Sequence, residues 1–397
     1  MSIPYLITFK PIERFYFGTP QSFGESFYAI SLMFPTQTTI LGVLRAALLE
    51  KYKLLDLEKR KPLTDFTGLL IDEVKKLTGT ANLENLFSDT DDLGKILKIS
   101  PVFIVRQDEG SKCAEDFLFP VPNDVIFEYD KNEKEDNGSP KIKGLKLLEF
   151  SDVSDVKVFS RNSDIDTVFS LENKIKEYNA NYLGGIDFWQ SYRDYYSNKK
   201  LKYHENYLLD KIFISDSQPG IAREDRKTKE AHYYIKHDFR MHKNYSFGVI
   251  VHFTEEGLLE DREVFMGGEK SLFRMTIKKI DENAFIYNGH PVVKRFINEN
   301  DFGDFDGSKD RVFIQSKLVA FSNFFSNDAK FTGIQFALIN GMYIHRNIWD
   351  RNITDSYSAL PYGSILYING KLELDKPMTN FKLLKKIGFN FFISFRR

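Results

Sequence analysis

FPTQTTILGVLRAALL, at Phe34–Leu49, is the stretch of this 397-residue chain that decides its fold most clearly. Leucines recur in it at helical spacing: Leu41, Leu44 and Leu48. This spacing gives one apolar face and predicts an amphipathic helix. Thr36 or Thr38 is a natural N-cap, because a threonine hydroxyl can accept a hydrogen bond from a free backbone N–H in the first turn.

Strand patterns surround this helix. Residues 3–10 alternate, and the apolar set on one face is Ile3, Tyr5, Ile7 and Phe9. Val125, Phe127 and Tyr129 alternate before a polar stretch that reaches Pro140, which predicts a long hairpin. Residues 53–100 have a mostly helical, charged pattern. Further strands are predicted at Phe247–Phe253, Phe273–Ile277, Lys317–Phe321, Ser364–Ile368 and Phe389–Phe395.

Many strands with few helices favour an α+β fold over a doubly wound sheet. The 37 Phe and 20 Tyr, against 2 Trp, suit strands, because aromatic rings pack well on pleated faces.

The charge balance and the cysteine count exclude several classes of function and of site. Lys and Arg total 55 and Asp and Glu total 56, so the net charge is −1 and nucleic-acid binding would need local patches. The single cysteine, Cys113, excludes an intrachain disulfide and a multi-cysteine metal site. The N-terminal residues lack a signal-peptide pattern, and no apolar run approaches ~18 residues. We therefore expect a cytoplasmic protein without a membrane partner.

Motifs for catalysis are absent from the sequence. The 7 histidines form no paired metal-ligand motif, and there is no nucleophile elbow and no calcium loop. We predict no catalytic residue, no metal site and no cofactor. A histidine-based ribonuclease stays open as an alternative, because such sites assemble only in three dimensions.

Three segments are candidates for binding. At Pro35–Thr39 the free N–H groups of the helix start, hydroxyls and the Gln37 amide could hold a phosphate, with Arg45 about two turns further on. Ordinary capping is the alternative. At Met266–Ser271 paired glycines permit close approach of a ligand, but they match no phosphate-loop motif, and a tight turn is the preferred interpretation.

The richest segment is Gly220–Tyr234. Its cations lie beside rings that can stack on unpaired bases, a combination typical of single-stranded RNA binding. These residues are Arg223, Arg226, Lys227, Lys229, His232, Tyr233 and Tyr234. The alternative is a solvated charged loop, since acidic residues dilute the positive field: Glu224, Asp225, Glu230 and Asp238.

Successive blocks of the chain resemble the Cmr3 family of type III-B CRISPR-associated proteins, within the RAMP superfamily. The blocks occur in the family's order: Ile7–Gly24, Phe34–Leu49, Gly220–Arg240, Met266–Phe273, Leu360–Tyr367 and Ile387–Ile393. FPTQTTILGVLRAALL is the most specific of them, and residues 53–210 match less clearly.

The resemblance implies two ferredoxin-like (RRM-like, RAMP) domains with hairpin and helical insertions. We place the N-terminal domain at 1–212 and the C-terminal domain at 213–397. The implied function is that of a non-catalytic subunit that grips the 5′ repeat-derived tag of CRISPR RNA. The implied protein partners are the Cas10-type large subunit, Cmr2, and the other Cmr RAMP subunits.

The resemblance also implies RNA-binding residues. The helix-start block suggests Gln37, Thr38, Thr39 and Arg45, and the middle block suggests Arg223, Arg226, Lys229, His232 and Tyr233. The glycine turn suggests Gly267, Gly268 and Lys270, and the first block suggests Arg14, Phe17 and Gln21. The main rival is a metal-independent RAMP endoribonuclease that uses His232 with Tyr233 as an acid–base pair. A third possibility is a structural subunit that contacts only protein.

Overall fold

The structure, a computed structural model, describes residues 2–18, 27–58, 61–63, 69–81, 91–107, 116–134, 140–147, 150–152, 167–169, 181–198, 200–224, 227–267, 269–281, 283–284, 287, 289–297, 316–320, 324–325, 331–338, 343–346, 356–360, 364–374, 381–389 and 392–396.

The strands in these ranges are β1 Ile3–Pro11, β2 Phe27–Ile30, β3 Leu55–Asp56, β4 Lys61–Pro62, β5 Ile96–Ile99, β6 Phe103–Arg106, β7 Asp116–Pro120, β8 Val125–Lys134, β9 Pro140–Leu147, β10 Phe150–Asp152, β11 Thr167–Phe169, β12 Leu183–Gly184, β13 Phe213–Glu224, β14 Lys227–Met241, β15 Tyr245–Phe253, β16 Arg262–Met266, β17 Ser271–Lys279, β18 Ser316–Ala320, β19 Phe324–Phe325, β20 Phe331–Leu338, β21 Tyr343–Arg346, β22 Ser356–Leu360, β23 Ile365–Leu374 and β24 Phe392–Arg396. The helices are α1 Gln37–Lys51, α2 Leu69–Thr78, α3 Ile186–Arg193, α4 Tyr195–Asn198, α5 Leu209–Ile212, α6 Val293–Ile297 and α7 Phe381–Lys386.

The predicted α+β class is confirmed: the sheets are mostly antiparallel, and helices are few in the described ranges. The largest sheet has the order β12-β7-β6-β15-β1-β17-β16, with β5 also paired to β15. β1 sits inside this sheet and is buried on both faces from Leu6 to Phe9. Phe9 lies opposite Phe247 on one neighbour and Met275 on the other, and all three side chains are buried.

Helix α1 begins where the sequence predicts. The Thr36 hydroxyl accepts a hydrogen bond from the Thr39 N–H at 3.3 Å, and the leucine face is buried. Arg262 of β16 holds the helix to the sheet, because its guanidinium pairs with Glu50 at 2.5 Å and lies 3.5 Å from the Ala47 carbonyl oxygen.

Residues 53–100 differ from the prediction. In the described part of this range only Leu69–Thr78 is α-helical beyond the end of α1, and Ile96–Ile99 is a strand paired with β15. The hydrogen-bonding edge offered by β15 outweighs the local charged pattern, because strand formation depends on the neighbour that a segment finds in the fold. The predicted hairpin is confirmed in β8 and β9, which pair antiparallel from Val125 with Leu147 to Lys134 with Pro140.

Two pairs of strands are connected in the same way, with a helix in the connection and a third strand between the two that it joins. β1 and β6 both pair antiparallel with β15, which lies between them, and α1 belongs to the connection. β23 and β24 both pair antiparallel with β18, with α7 in their connection. Each is a split β-α-β unit. The predicted boundary at residue 212 falls inside the largest sheet, since β1 and β6 precede it and β15 to β17 follow it.

His290 is one of the buried polar residues beneath the largest sheet. Its Nε2 donates to the Phe117 carbonyl oxygen at 3.0 Å, and its Nδ1 accepts from the Val292 N–H at 3.2 Å. Burial lowers the pKa of His290 from 6.5 to about 3. The ring is therefore neutral in the folded protein and supports the turn before α6.

None of the helices in the described ranges is long and apolar enough to cross a membrane.

We predict that His290 makes the folded state sensitive to acid. The unfolded chain takes up a proton below pH 6.5 that the folded chain does not bind until about pH 3. The contribution of neutral His290 to the free energy of unfolding is therefore complete above pH 6.5. Below pH 6.5 this contribution falls by about 1.4 kcal/mol per pH unit. Urea unfolding should show a loss of about 2 kcal/mol between pH 7 and pH 5 from this group. H290N, which offers an acceptor and no titrating ring, should lack this loss; an equal loss in both proteins would contradict the assignment.

Candidate nucleic-acid interface

The aromatic run after β1 joins three parts of the fold. The Phe15 N–H donates to the Phe239 carbonyl oxygen at 2.8 Å, and the Phe239 N–H donates back to Phe15 at 3.1 Å. The rings of Phe15 and Phe17 are buried against Phe247 and Phe273. Tyr16 faces a surface cleft, because alternate residues of an extended segment point to opposite sides.

The glycine turn between β16 and β17 lies against this run. The Lys270 N–H donates to the Gly267 carbonyl oxygen at 3.1 Å, and the Tyr16 N–H donates to the Ser271 hydroxyl at 3.3 Å. Gly267 has a φ of +81°, and a Cβ there would lie 2.6 Å from the Tyr16 carbonyl oxygen. Glycine is required here both for its backbone conformation and for this close approach.

Gly220–Tyr234, for which the sequence left an RNA-binding segment and a charged loop as alternatives, belongs to a long hairpin. β13 and β14 pair antiparallel along their lengths, with β2 parallel to β14. Gln218 lies opposite Lys236, and Asp216 lies opposite Asp238. These four side chains share one face of the hairpin, because cross-strand partners point the same way.

These three elements enclose a cleft of about 360 Å³. Its lining is Ile12, Glu13, Arg14, Phe15, Tyr16, Gln218, Lys236, Asp238, Glu269, Lys270, Ser271 and Leu272. The lining holds three cations, Arg14, Lys236 and Lys270, and three carboxylates, Glu13, Asp238 and Glu269. The cleft is therefore polar and close to neutral, with cations and anions side by side.

Ion pairs organise the cleft. The Lys236 ammonium pairs with Glu269, lies 3.6 Å from Asp238 Oδ2 and sits 4.8 Å from the centre of the Tyr16 ring. Burial raises the pKa of Tyr16, and the charge of Glu269 raises it further. Lys270 is exposed, and its side chain has no partner among the described residues.

A second pairing lies on the neighbouring part of the hairpin. The Asp216 carboxylate accepts from Arg240 at 2.7 Å and from Arg14 at 3.4 Å. The hydrogen bond from Arg240 lowers the pKa of Asp216, and the charge of Arg14 adds to this effect. Arg14 is therefore held beside the cleft with about half of its side chain exposed.

The structure brings residues of the first block and of the glycine turn together, and it places the helix-start block elsewhere. Arg14 and Lys270 line the cleft, and Gly267 positions it. Phe17 is next to the cleft in sequence, but its ring is in the core and stacks on Phe273. The predicted contact of Phe17 with RNA stays a prediction, and the buried ring is not exposed for stacking on a base.

The helix-start group lies elsewhere. Gln37 is buried, and with its amide correctly oriented it accepts from the Val102 N–H at 2.8 Å and donates to the Ile387 carbonyl oxygen at 3.0 Å. The hydroxyls of Thr38 and Thr39 each lie 2.9 Å from the Thr36 hydroxyl within the cap. Ordinary capping thus accounts for this block, and its contact with RNA stays a prediction.

Arg45 is not part of the cleft lining. Its guanidinium donates to the Ala81 carbonyl oxygen at 3.1 Å, and burial lowers its pKa, opposed by the charge of Asp92. This half-buried arginine ties α1 to the segment after α2. Its predicted role at RNA stays a prediction.

Other predicted residues fall outside the described ranges. Gln21, Arg226 and Gly268 are not among the described residues, and only the backbone is described for Arg223, Lys229, His232 and Tyr233. That backbone is β-strand, with Tyr233 opposite Ile221 and Arg223 opposite Thr228. Tyr16 and Gln218 line the cleft although the sequence did not predict them as site residues. The sequence placed Lys236 only among the cations that follow Gly220–Tyr234, and Asp238 only among the acidic residues that dilute their field. The alternation of residues along β14 was the sequence signal that could have placed Lys236 and Asp238 on one face of the hairpin.

Metal binding has no support in this part of the chain: no group of three or more His, Cys, Asp or Glu side chains among the described residues is arranged to hold an ion.

Comparison with known proteins gives one family. A family model described as CRISPR-associated protein (Cas_Cmr3) matches residues 7–286. No curated protein sequence matches the chain significantly. Among solved structures, the chain is similar to one in a type III-B Cmr-beta complex bound to cognate target RNA and AMPPnP, with 14% identity, a TM-score of 0.43, and coverage of 98% of this chain and 96% of the other. It is also similar to one in a Csm3-Csm4 subcomplex of the type III-A CRISPR-Cas interference complex, with 11% identity, a TM-score of 0.36, and coverage of 94% and 100%.

Gly267→Ala should destabilise the protein and deform the cleft. The new Cβ would need left-handed backbone and would meet the Tyr16 carbonyl oxygen, so we expect a loss of about 1–3 kcal/mol in urea unfolding. Gly42→Ala is the matched control, because Gly42 is helical and exposed, and a Cβ added there would have nothing within 4 Å. It should stabilise the protein by about 0.5–1 kcal/mol. Equal effects of the two changes would contradict the close approach at Gly267.

Proposed function

The chain belongs to the Cas_Cmr3 family of CRISPR-associated proteins, and from this we propose that it is a non-catalytic subunit of a type III-B CRISPR effector complex. In this proposal it binds the 5′ repeat-derived tag of CRISPR RNA and docks the Cas10-type large subunit, beside other Cmr RAMP subunits in the cytoplasm.

The cleft is the observation on which the RNA-binding part of the proposal rests. It places exposed cations, Arg14 and Lys270, beside the ring of Tyr16. Cations that reach phosphates and a ring that can stack on a base are the groups that single-stranded RNA requires. The 5′ tag, as an unpaired RNA end, offers both phosphates and stackable bases.

The charge balance fits a protein with one local RNA site. A net charge of −1 gives no long-range attraction to RNA. Affinity then depends on a few phosphate contacts, each of which releases counterions and makes binding weaken with salt.

The sheets support a proposal of two domains that divide after the largest sheet, because that sheet takes strands from both sides of residue 212. The split β-α-β unit of β1, α1 and β6 and that of β23, α7 and β24 are the kind of unit from which ferredoxin-like domains are built. We propose one ferredoxin-like domain on each of these two sheets.

The RNA-binding test uses fluorescence anisotropy with the full chain and a labelled 5′-tag RNA over a series of salt concentrations. Lys270→Gln and Arg14→Gln should each weaken binding by about 1–3 kcal/mol and lower the salt slope by about one. Lys141→Gln is the control, because Lys141 is an exposed cation on the β8–β9 hairpin and pairs with Glu133. Binding that falls equally in all three variants would point to general charge rather than to the cleft.

A cleavage assay separates the proposal from the endoribonuclease alternative. We expect repeat RNA to remain intact with the wild-type chain in the absence of metal. Metal-independent cleavage that is lost in His232→Ala would establish the alternative instead. Crosslinking that labels only other subunits of the assembled complex would favour a subunit that contacts only protein.

A further inference from the structure

Asp238 lies at the inner wall of the cleft and is only 1% exposed. Neither carboxylate oxygen accepts a hydrogen bond from any described residue. The Lys236 ammonium is 3.6 Å from Oδ2, a distance at which the charges attract but no hydrogen bond forms. A buried carboxylate normally accepts several hydrogen bonds, because leaving one without donors is costly. Two orphaned acceptors in the wall of a cleft therefore point to a ligand that brings donors.

The partners of Asp238 show how a ligand could reach it. Lys236 covers the carboxylate and the Tyr16 ring, and it is held from outside by Glu269, whose side chain is half exposed. A phosphate at the rim would offer this ammonium a strong alternative partner. In that exchange of partners the ammonium would leave the Tyr16 ring and the Asp238 carboxylate, which it contacts at present, open to the same space.

We propose that this cleft selects guanine in single-stranded RNA, with Asp238 as the residue that determines the preference and Tyr16 as the stacking surface. The inference rests on the proposed function, since it concerns the same cleft. Guanine presents two neighbouring donors, N1–H and the N2 amino group, on one edge, which match the two oxygens of one carboxylate, neither of which accepts a hydrogen bond from a described residue. Adenine, cytosine and uracil have no such pair of donors on that edge.

The volume and charge of the cleft fit this occupant. About 360 Å³ can accommodate one nucleobase with part of its sugar. The near-neutral interior suits a base better than a phosphate, whereas the exposed cations Arg14 and Lys270 are placed for the backbone on either side. Asp216, directly opposite Asp238 on the hairpin, is already paired with two arginines and is not available for the base.

The test measures binding of the full chain to fluorescein-labelled uridine octamers that carry a single guanosine, inosine or adenosine at each position in turn. Wild-type protein should prefer the guanosine octamer at one position by roughly 10- to 100-fold over adenosine. Inosine, which lacks the N2 amino group, should fall between them. Because these comparisons change only the RNA, they remain decisive even if a variant folds poorly.

Asp238→Asn should abolish the preference for guanosine, so that the guanosine and adenosine octamers bind with affinities within about twofold of each other. Asp216→Asn is the matched control and should keep the preference. Wild-type binding without any preference among guanosine, inosine, adenosine and uridine at every position would overturn the inference and leave the proposed function standing. Failure of the wild-type chain to bind any of these RNAs or the 5′-tag RNA would overturn both.

Discussion

The backbone pairing of Phe15 with Phe239 is the interaction on which the rest of the site depends. Two reciprocal hydrogen bonds fix the residues after β1 to the long hairpin. The Phe15 ring is buried against rings from β15 and β17, so the same residue also anchors this segment to the largest sheet. Because Phe15 points inward, Tyr16 must point outward into the cleft. Core packing and site geometry are thus set by one short extended segment.

Close approach then determines what the cleft contains. The glycine turn can lie against Tyr16 only because Gly267 lacks a Cβ, and this brings Glu269 and Lys270 to the cleft. The hairpin supplies Lys236 and Asp238 from the other side. Cations and carboxylates from separate segments neutralise one another, which leaves a polar space suited to a ligand with both donors and acceptors. A purely basic patch would bind phosphate without distinguishing bases.

Much of the fold could be predicted because local patterns agree with the tertiary structure. The leucine spacing and the threonine cap of α1 act within a few residues, and the strand signal of β1 comes from its own alternating residues. Residues 53–100 could not be predicted in this way, because β5 forms through its partner strand rather than through its own pattern. Gln37 shows a related limit of local patterns: its amide bonds the Val102 N–H and the Ile387 carbonyl oxygen, contacts with distant segments that its place at a helix start does not predict. Its contact with RNA stays a prediction.

By itself the sequence determined the class of fold, the position of the first helix, the lack of a global basic field and the family resemblance that the family model confirms. Only the tertiary structure decided which of the candidate residues lie together. It joined Arg14 to Lys270, separated both from Arg45, and added Tyr16, Lys236 and Asp238. The physical reason is that a composite site depends on long-range strand pairing and on backbone contact at Gly267, and neither leaves a periodic signal in the sequence.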